Sequence, residues 1–240
     1  MSCLQSLRFA LPSVLGLLPA VETSAADPGT GEPSVTISAA WDSAYVSEGR
    51  DNLGDGGLVS ASVDLAWRGV AFSGWTAHGD SVNYVEHNLG AGYSFALGPV
   101  GLSVAYTRLE FGGEDEAPGD NEFAVGCTLP VPGAIEVAVG ARYSTEAEGT
   151  FMEIFVQRPV ALGGTGVVLA PYVMFGFDYG YASAQHDGAN HTEGGLALEC
   201  PLGDGATLSV YCAHCWAGRD VDLDGGRDLT WGGVRLAFGF

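Results

Sequence analysis

The chain has 240 residues, 37 of them Gly, with 9 Lys plus Arg against 29 Asp plus Glu and a formal charge of −20. Charged residues make up 16% and hydrophobic ones 47%, fewer charges than a soluble domain usually carries. This balance excludes nucleic-acid binding, which needs a basic face, and electrostatic docking on an anionic leaflet. It leaves ample apolar material for a core or a lipid-facing surface.

Residues 1–26 read as an export signal. Arg8 is the only charge before a mostly apolar stretch from Phe9 to Val21, and Thr23-Ser24-Ala25-Ala26 offers small residues for cleavage. The stretch is too short for a transmembrane helix and has signal-peptide flanks. Residues 27–33 then form a short N-terminal segment, expected in the periplasm. Beyond residue 26 no apolar run reaches the length of a spanning helix. For a membrane protein the remaining solution is a closed barrel, because lipid offers no partner to an open strand edge.

The rest of the chain, residues 34–240, alternates with period two, broken by Gly, Pro and Asp. Val35, Ile37, Ala39 and Trp41 share one face of the first segment. Leu89, Ala91, Tyr93 and Phe95 share one face of a later one, opposite Asn88, Gly90, Gly92 and Ser94. The pattern predicts about twelve strands, at 34–47, 57–68, 70–78, 82–97, 99–111, 120–130, 134–145, 149–159, 166–182, 192–201, 206–217 and 229–240. No helical period competes. The fold class is therefore all-β, a transmembrane antiparallel up-and-down β-barrel.

The connections alternate in character. Those after even-numbered strands are mostly short and nearly uncharged: Gly69, Gly98-Pro99, Val131-Pro132-Gly133, the region of Gly163-Gly164, and Gly203-Asp204-Gly205. Several of those after odd-numbered strands are longer and acidic, at 48–56, 78–81, 112–119, 146–148, 183–191 and 218–228. Outer-membrane barrels are built with short turns on one side and longer loops on the other. An even strand count then puts both termini on the short-turn side, the periplasmic one. In the last segment Val234, Leu236, Phe238 and Phe240 alternate with Gly233, Arg235, Ala237 and Gly239, and the chain stops on Phe240. Phe238 and Phe240 resemble the terminal signal that barrel-assembly machinery reads.

Trp41-Asp42-Ser43-Ala44-Tyr45-Val46-Ser47-Glu48-Gly49-Arg50 resembles the opening strand of the TorF-like porins, outer-membrane proteins of poorly defined function. Ser43 and Tyr45 match the family's Ser-x-Tyr, while its Arg-Gly order becomes Gly49-Arg50. Gly74-Trp75 and Gly92-Tyr93-Ser94-Phe95 are similar to the following strands, and the resemblance covers about residues 35–111. It implies a pore-like barrel and supplies no catalytic residue.

With the apolar register facing lipid, the other register faces the lumen. It holds Asp42, Asp64, Glu86, Asn88, Glu136, Arg142, Glu199 and Arg235, joined by Glu153 on a strand of ambiguous register around Phe151–Phe155. A charge on the lipid face would cost ~2–4 kcal/mol at the midplane. One expectation is a narrow polar lumen passing small cationic or neutral solutes. Another is a lumen filled by its own side chains, giving a structural or surface-interaction barrel. The expected partners are outer-membrane lipids, lipopolysaccharide, the assembly machinery and small solutes. Asp220, Asp222, Asp224 and Asp228 follow a calcium-loop spacing around Gly225, but Trp231 replaces the closing Glu. Calcium there is one reading, and a solvated acidic loop the other. Cys212 and Cys215 point to opposite faces of a strand, against a shared metal or disulfide. A lipid hydrolase is a further class, with His87 and His214 in apolar registers, yet no serine motif or third partner stands out. The expectation is therefore of a non-enzymatic protein without an obligate cofactor.

Overall fold

The computed structural model describes residues 32–113, 118–184 and 187–240. The signal stretch 1–26 and most of segment 27–33 lie outside the described residues. Twelve antiparallel strands build the molecule: β1 (Ser34–Asp42), β2 (Leu58–Trp67), β3 (Val70–Gly79), β4 (Tyr84–Leu97), β5 (Val100–Gly113) and β6 (Asp120–Val131). They continue as β7 (Ile135–Ser144), β8 (Gly149–Gln157), β9 (Val168–Tyr179), β10 (Gly188–Gly203), β11 (Ala206–Ala217) and β12 (Leu229–Gly239). Each strand pairs with its neighbours in sequence, and β1 pairs with β12 from Thr36–Gly239 to Asp42–Gly233, closing the barrel. Closure leaves no strand edge exposed.

The alternation in the sequence becomes an inside-out protein. Outward positions are large and apolar, with Leu89 67%, Val125 57% and Phe72 56% exposed. Inward positions are polar and covered, with Glu86 1%, Glu193 3% and Arg142 4% exposed. A contiguous apolar exterior of this kind is satisfied by lipid. No helix among the described residues is long and apolar enough to cross a membrane.

The connections segregate as their lengths predict. Arg68–Gly69 joins β2 to β3 with positive φ at both residues, 50° and 83°, the twist-matched geometry of a two-residue hairpin. Residues 98–99, 132–134 and 204–205 lie at the same end, here called the turn end. The connection 158–167 is longer, because Val160–Ala161 folds back to pair with Val168 and Leu169 of β9. The other end, the loop end, carries residues 43–57, 80–83, 145–148 and 218–228.

Three expectations change. The first strand was expected to run to residue 47, but it ends at Asp42, where Ser43 N–H donates to Gly232 O at 2.9 Å and the chain turns inward. The tenth starts at Gly188 rather than 192, after a bulge opposite Gly176/Phe177 lets it stay paired. The acidic stretch 218–228, in which no helix was expected, contains the short helix α1 (Arg219–Leu223), which packs Val221 at 0% exposure.

Candidate functional site

The ambiguous strand β8 turns out to place Phe151, Glu153 and Phe155 inward and Met152, Ile154 and Val156 outward. Phe155 meets Tyr172 and Met174 of β9, Ala213 and Cys215 of β11 and Trp231 of β12 in a buried cluster inside the barrel. Ala44 and Val46, from the inward segment after β1, pack against that cluster. An apolar foot of this kind explains why residues 43–57 fold into the lumen instead of outward into water.

The segment carries a small hairpin in which Val46–Ser47 pairs with Arg50–Asp51. Its turn residues Glu48 and Gly49 both have positive φ, 49° and 76°. Gly49 also lies so close to His191 of β10 that any Cβ would collide with the imidazole. Glu48 forms an ion pair with Arg142 of β7, on the opposite wall. The Arg142 guanidinium also lies 4.7 Å from the Tyr181 ring and 5.4 Å from the Phe151 ring, a cation–π arrangement. Tyr181 in turn donates to Glu122 of β6. On its other side, Arg50 Nη2 reaches Asp224 at 2.6 Å and Asp220 at 3.4 Å. The hairpin thus spans the lumen and is tied at both ends by ion pairs.

The same segment sends Tyr45 to Glu86. Glu86 accepts from Tyr45 Oη at 2.8 Å, Tyr84 Oη at 2.5 Å and Asn88 Nδ2 at 2.8 Å. Asp42 accepts from Tyr211 Oη at 2.6 Å, and Glu193 from Tyr172 Oη at 2.7 Å. A buried carboxylate keeps its charge only when such donors replace water. Towards the turn end the contacts are local. Ser38 and Ser62 share a hydrogen bond of 2.9 Å, Ser62 reaches Asp64 at 3.1 Å, and Gln157 reaches Glu136 at 2.5 Å. Arg235 interacts electrostatically with Asp64 and Asp42. Glu153 and Glu199 are 5% and 8% exposed.

The nine residues expected to line the lumen therefore lie in the inward register, Glu136 near the turn-end mouth and the others deeper. Sequence reasoning missed Tyr45, Glu48, Arg50, Trp75, Glu122, Glu193, Tyr211 and Trp231. Glu122 and Glu193 lie inside the expected strands 120–130 and 192–201, in the inward register of Ala124 and Glu199, so their period was legible although they were not singled out. Glu48 and Arg50 carried no periodic signal, since both fall in the expected loop 48–56. The four calcium-loop aspartates are placed apart in role. Asp220 and Asp224 hold Arg50, Asp220 also accepts from Asn190 at 2.7 Å, and Asp228 accepts from the Ala217 N–H at 2.8 Å. Asp222 lies in the first turn of α1. Among the described residues no group of three or more His, Cys, Asp and Glu could hold a metal ion. Asp220 is fully buried, so the loop is not simply solvated. Cys212 is exposed and Cys215 buried, on opposite faces. His87 and His214 pair with Thr76 and Thr230 at 2.9 and 2.6 Å. Phe238 and Phe240 are exposed on the outside, and the Phe240 backbone pairs with Val35.

Outside the membrane span, Asp80 ties the loop end together. It accepts from Trp41 Nε1 at 2.9 Å, the Gly57 N–H at 2.7 Å and Ser81 Oγ at 2.7 Å. The Trp41 indole, then the Gly57 amide and the Ser81 hydroxyl, hold its carboxyl below the usual range.

No family model matches the chain, and no curated protein is similar to it in sequence. Its shape is similar to the solved structure of the KdgM porin in complex with disordered oligogalacturonate, with TM-score 0.59 at 9% identity. That likeness covers 86% of this chain and 99% of that one. A second KdgM porin structure gives TM-score 0.56 at 10% identity over 86% and 99% of the two chains. The NanC porin gives TM-score 0.51 at 12% identity over 86% and 98%. The chain thus has the fold of outer-membrane porins. The likeness reaches that fold and does not extend to the TorF-like family, which the sequence motifs alone suggest. Of the family-like motif, Ser43, Tyr45, Gly49 and Arg50 lie in the inward segment rather than on the first strand.

Proposed function

We propose that this chain is an outer-membrane channel for passive diffusion of small cationic or neutral solutes, narrowed by its own segment Ser43–Gly57. The observation that carries the reading is the Glu48–Arg142 ion pair across the lumen, which sets a constriction rather than leaving a wide bore. Charge sets the preference. The described strands turn only Arg142 and Arg235 inward against Asp42, Asp64, Glu86, Glu122, Glu136, Glu153, Glu193 and Glu199. Carboxylates facing a narrow lumen favour cations there. The KdgM porin of the comparison was solved with oligogalacturonate, a polyanion, which the surplus of carboxylates in the lumen here would repel. In this reading the loop end faces outward beside lipopolysaccharide, both termini are periplasmic, and Phe238 and Phe240 serve assembly.

Planar-bilayer recording tests the proposal. Small, steady conductance steps with a reversal potential shifted toward cations are expected. Removing Val46–Asp51 should raise the unitary conductance several-fold. Absence of channel events at every voltage from the folded protein would sink it. The buried cluster of Phe155, Tyr172, Met174 and Trp231 favours a second reading, a filled structural or surface-interaction barrel, and that outcome would leave it standing.

A further inference from the structure

The inward segment does not fill the space beside it completely. A small cavity remains between it and the wall of β1, β2, β3, β11 and β12, bordered by Asp42, Tyr45, Ser60, Trp75, Tyr211 and Trp231. We propose that this cavity binds a small organic cation, an alkylammonium group, on its way through the lumen. The inference rests on the channel reading for its purpose and names a solute class for it.

The chemistry of the walls selects that class. Four aromatic rings and one carboxylate border the space, and no cationic side chain does. Two of the rings are fixed with their hydroxyls turned to carboxylates, Tyr45 to Glu86 at 2.8 Å and Tyr211 to Asp42 at 2.6 Å. Those hydroxyls are therefore committed as donors, and the border offers an anion neutral indole and serine donors but no cation. Ring faces carry the negative end of the aromatic quadrupole and attract cations, tryptophan most strongly. Asp42 adds a carboxylate, within electrostatic reach of Arg235, which Asp64 also engages. Glu86, one layer away, is held by three neutral donors and lies in no ion pair among the described residues. A hard metal ion would need several converging oxygens, and the border supplies one carboxylate, so a soft, weakly hydrated cation fits better. Gly233 keeps the corner open. A Cβ at this position would press on Asp42 and Tyr211.

Saturation transfer from aromatic protons to the methyl protons of tetramethylammonium, measured on the refolded protein in detergent, tests the site. Saturable transfer is expected that sodium chloride at equal ionic strength does not abolish. Asp42→Asn and Trp75→Leu should each weaken it about fivefold or more, and Gly233→Ala should weaken it while deleting no lining group. Asp204→Asn, in a turn at the far end, should leave it unchanged. Retained strand content and heat-resistant migration identify folded variants. Transfer that is absent, or equal in wild type and the three folded cavity variants, would overturn the site. Binding without any channel current would keep the site and remove the channel reading. Current without binding would remove only the site.

Discussion

The two halves of the lumen are built from the same strands and the same inward register, yet they are filled differently. At the turn end the hydrogen bonds join neighbouring strands, Ser38 of β1 to Ser62 of β2 and Gln157 of β8 to Glu136 of β7. Serine and short carboxylates are too small to meet across the axis. In the loop half, a piece of backbone has been brought inside, and Glu48 meets Arg142 from the opposite wall. The comparison teaches that strand residues alone set the polarity of this lumen, while a loop sets its width.

The largest effect should come from breaking the crossing contact. Arg142→Ala leaves Glu48 and Glu122 in a largely buried site without their cation and should cost ~3–5 kcal/mol in equilibrium unfolding. The double change with Glu48→Ala should cost less than the sum of the two single changes, because neither charge is then left alone. Next comes the apolar foot. Met174→Ala removes a side chain 3% exposed and should cost ~2–5 kcal/mol. Ser38→Ala, its counterpart in the turn half, should cost only ~0.5–1.5 kcal/mol, since Ser62 keeps Asp64 as a partner. Equal losses in the two halves would erase the contrast.

Smaller still is the effect of Asp80. Its carboxyl titrates below the ordinary carboxylate value of roughly 3.9, so its contribution is fully present above that value. As pH falls through the lowered value, the carboxyl protonates and the contribution is lost. Asp80→Asn should lower the melting temperature slightly near pH 7 and leave it unchanged, relative to wild type, in strong acid. Calcium should have the smallest effect, because Arg50 already engages Asp220 and Asp224 and Asn190 donates to Asp220. A melting temperature that rises with calcium would show that the aspartates can leave Arg50.

The barrel was legible because its alternation has two solvents to answer to. Leu89 and Tyr93 point to lipid while Glu86 and Asn88 point inward, and a one-residue slip would reverse all four. Loop parity was legible for the same reason that turns are, since Arg68–Gly69 has only one good way to join adjacent strands. The inward hairpin was not legible. Tyr45 falls on the face of Trp41, so periodicity extends the strand to residue 47, although Ala44 and Val46 put apolar side chains on the face of Asp42. What stops it is a tertiary contact, Ala44 and Val46 against Trp231 and its neighbours. Helix α1 was hidden likewise, since it is only five residues long. Arg142 could be placed in the lumen from its register, but its partner Glu48 lies 94 residues away, beyond the reach of any local pattern.

That distance also orders the making of the molecule. The inward segment precedes eleven of the twelve strands, yet its partners are spread from Glu86 to Asp224. Its contacts can be completed only after the wall that holds them has been laid down, and β12 then seals the wall against β1. A loop written early in the chain is thus completed by partners written late, enclosed like the contents of a barrel whose last stave is fitted around them.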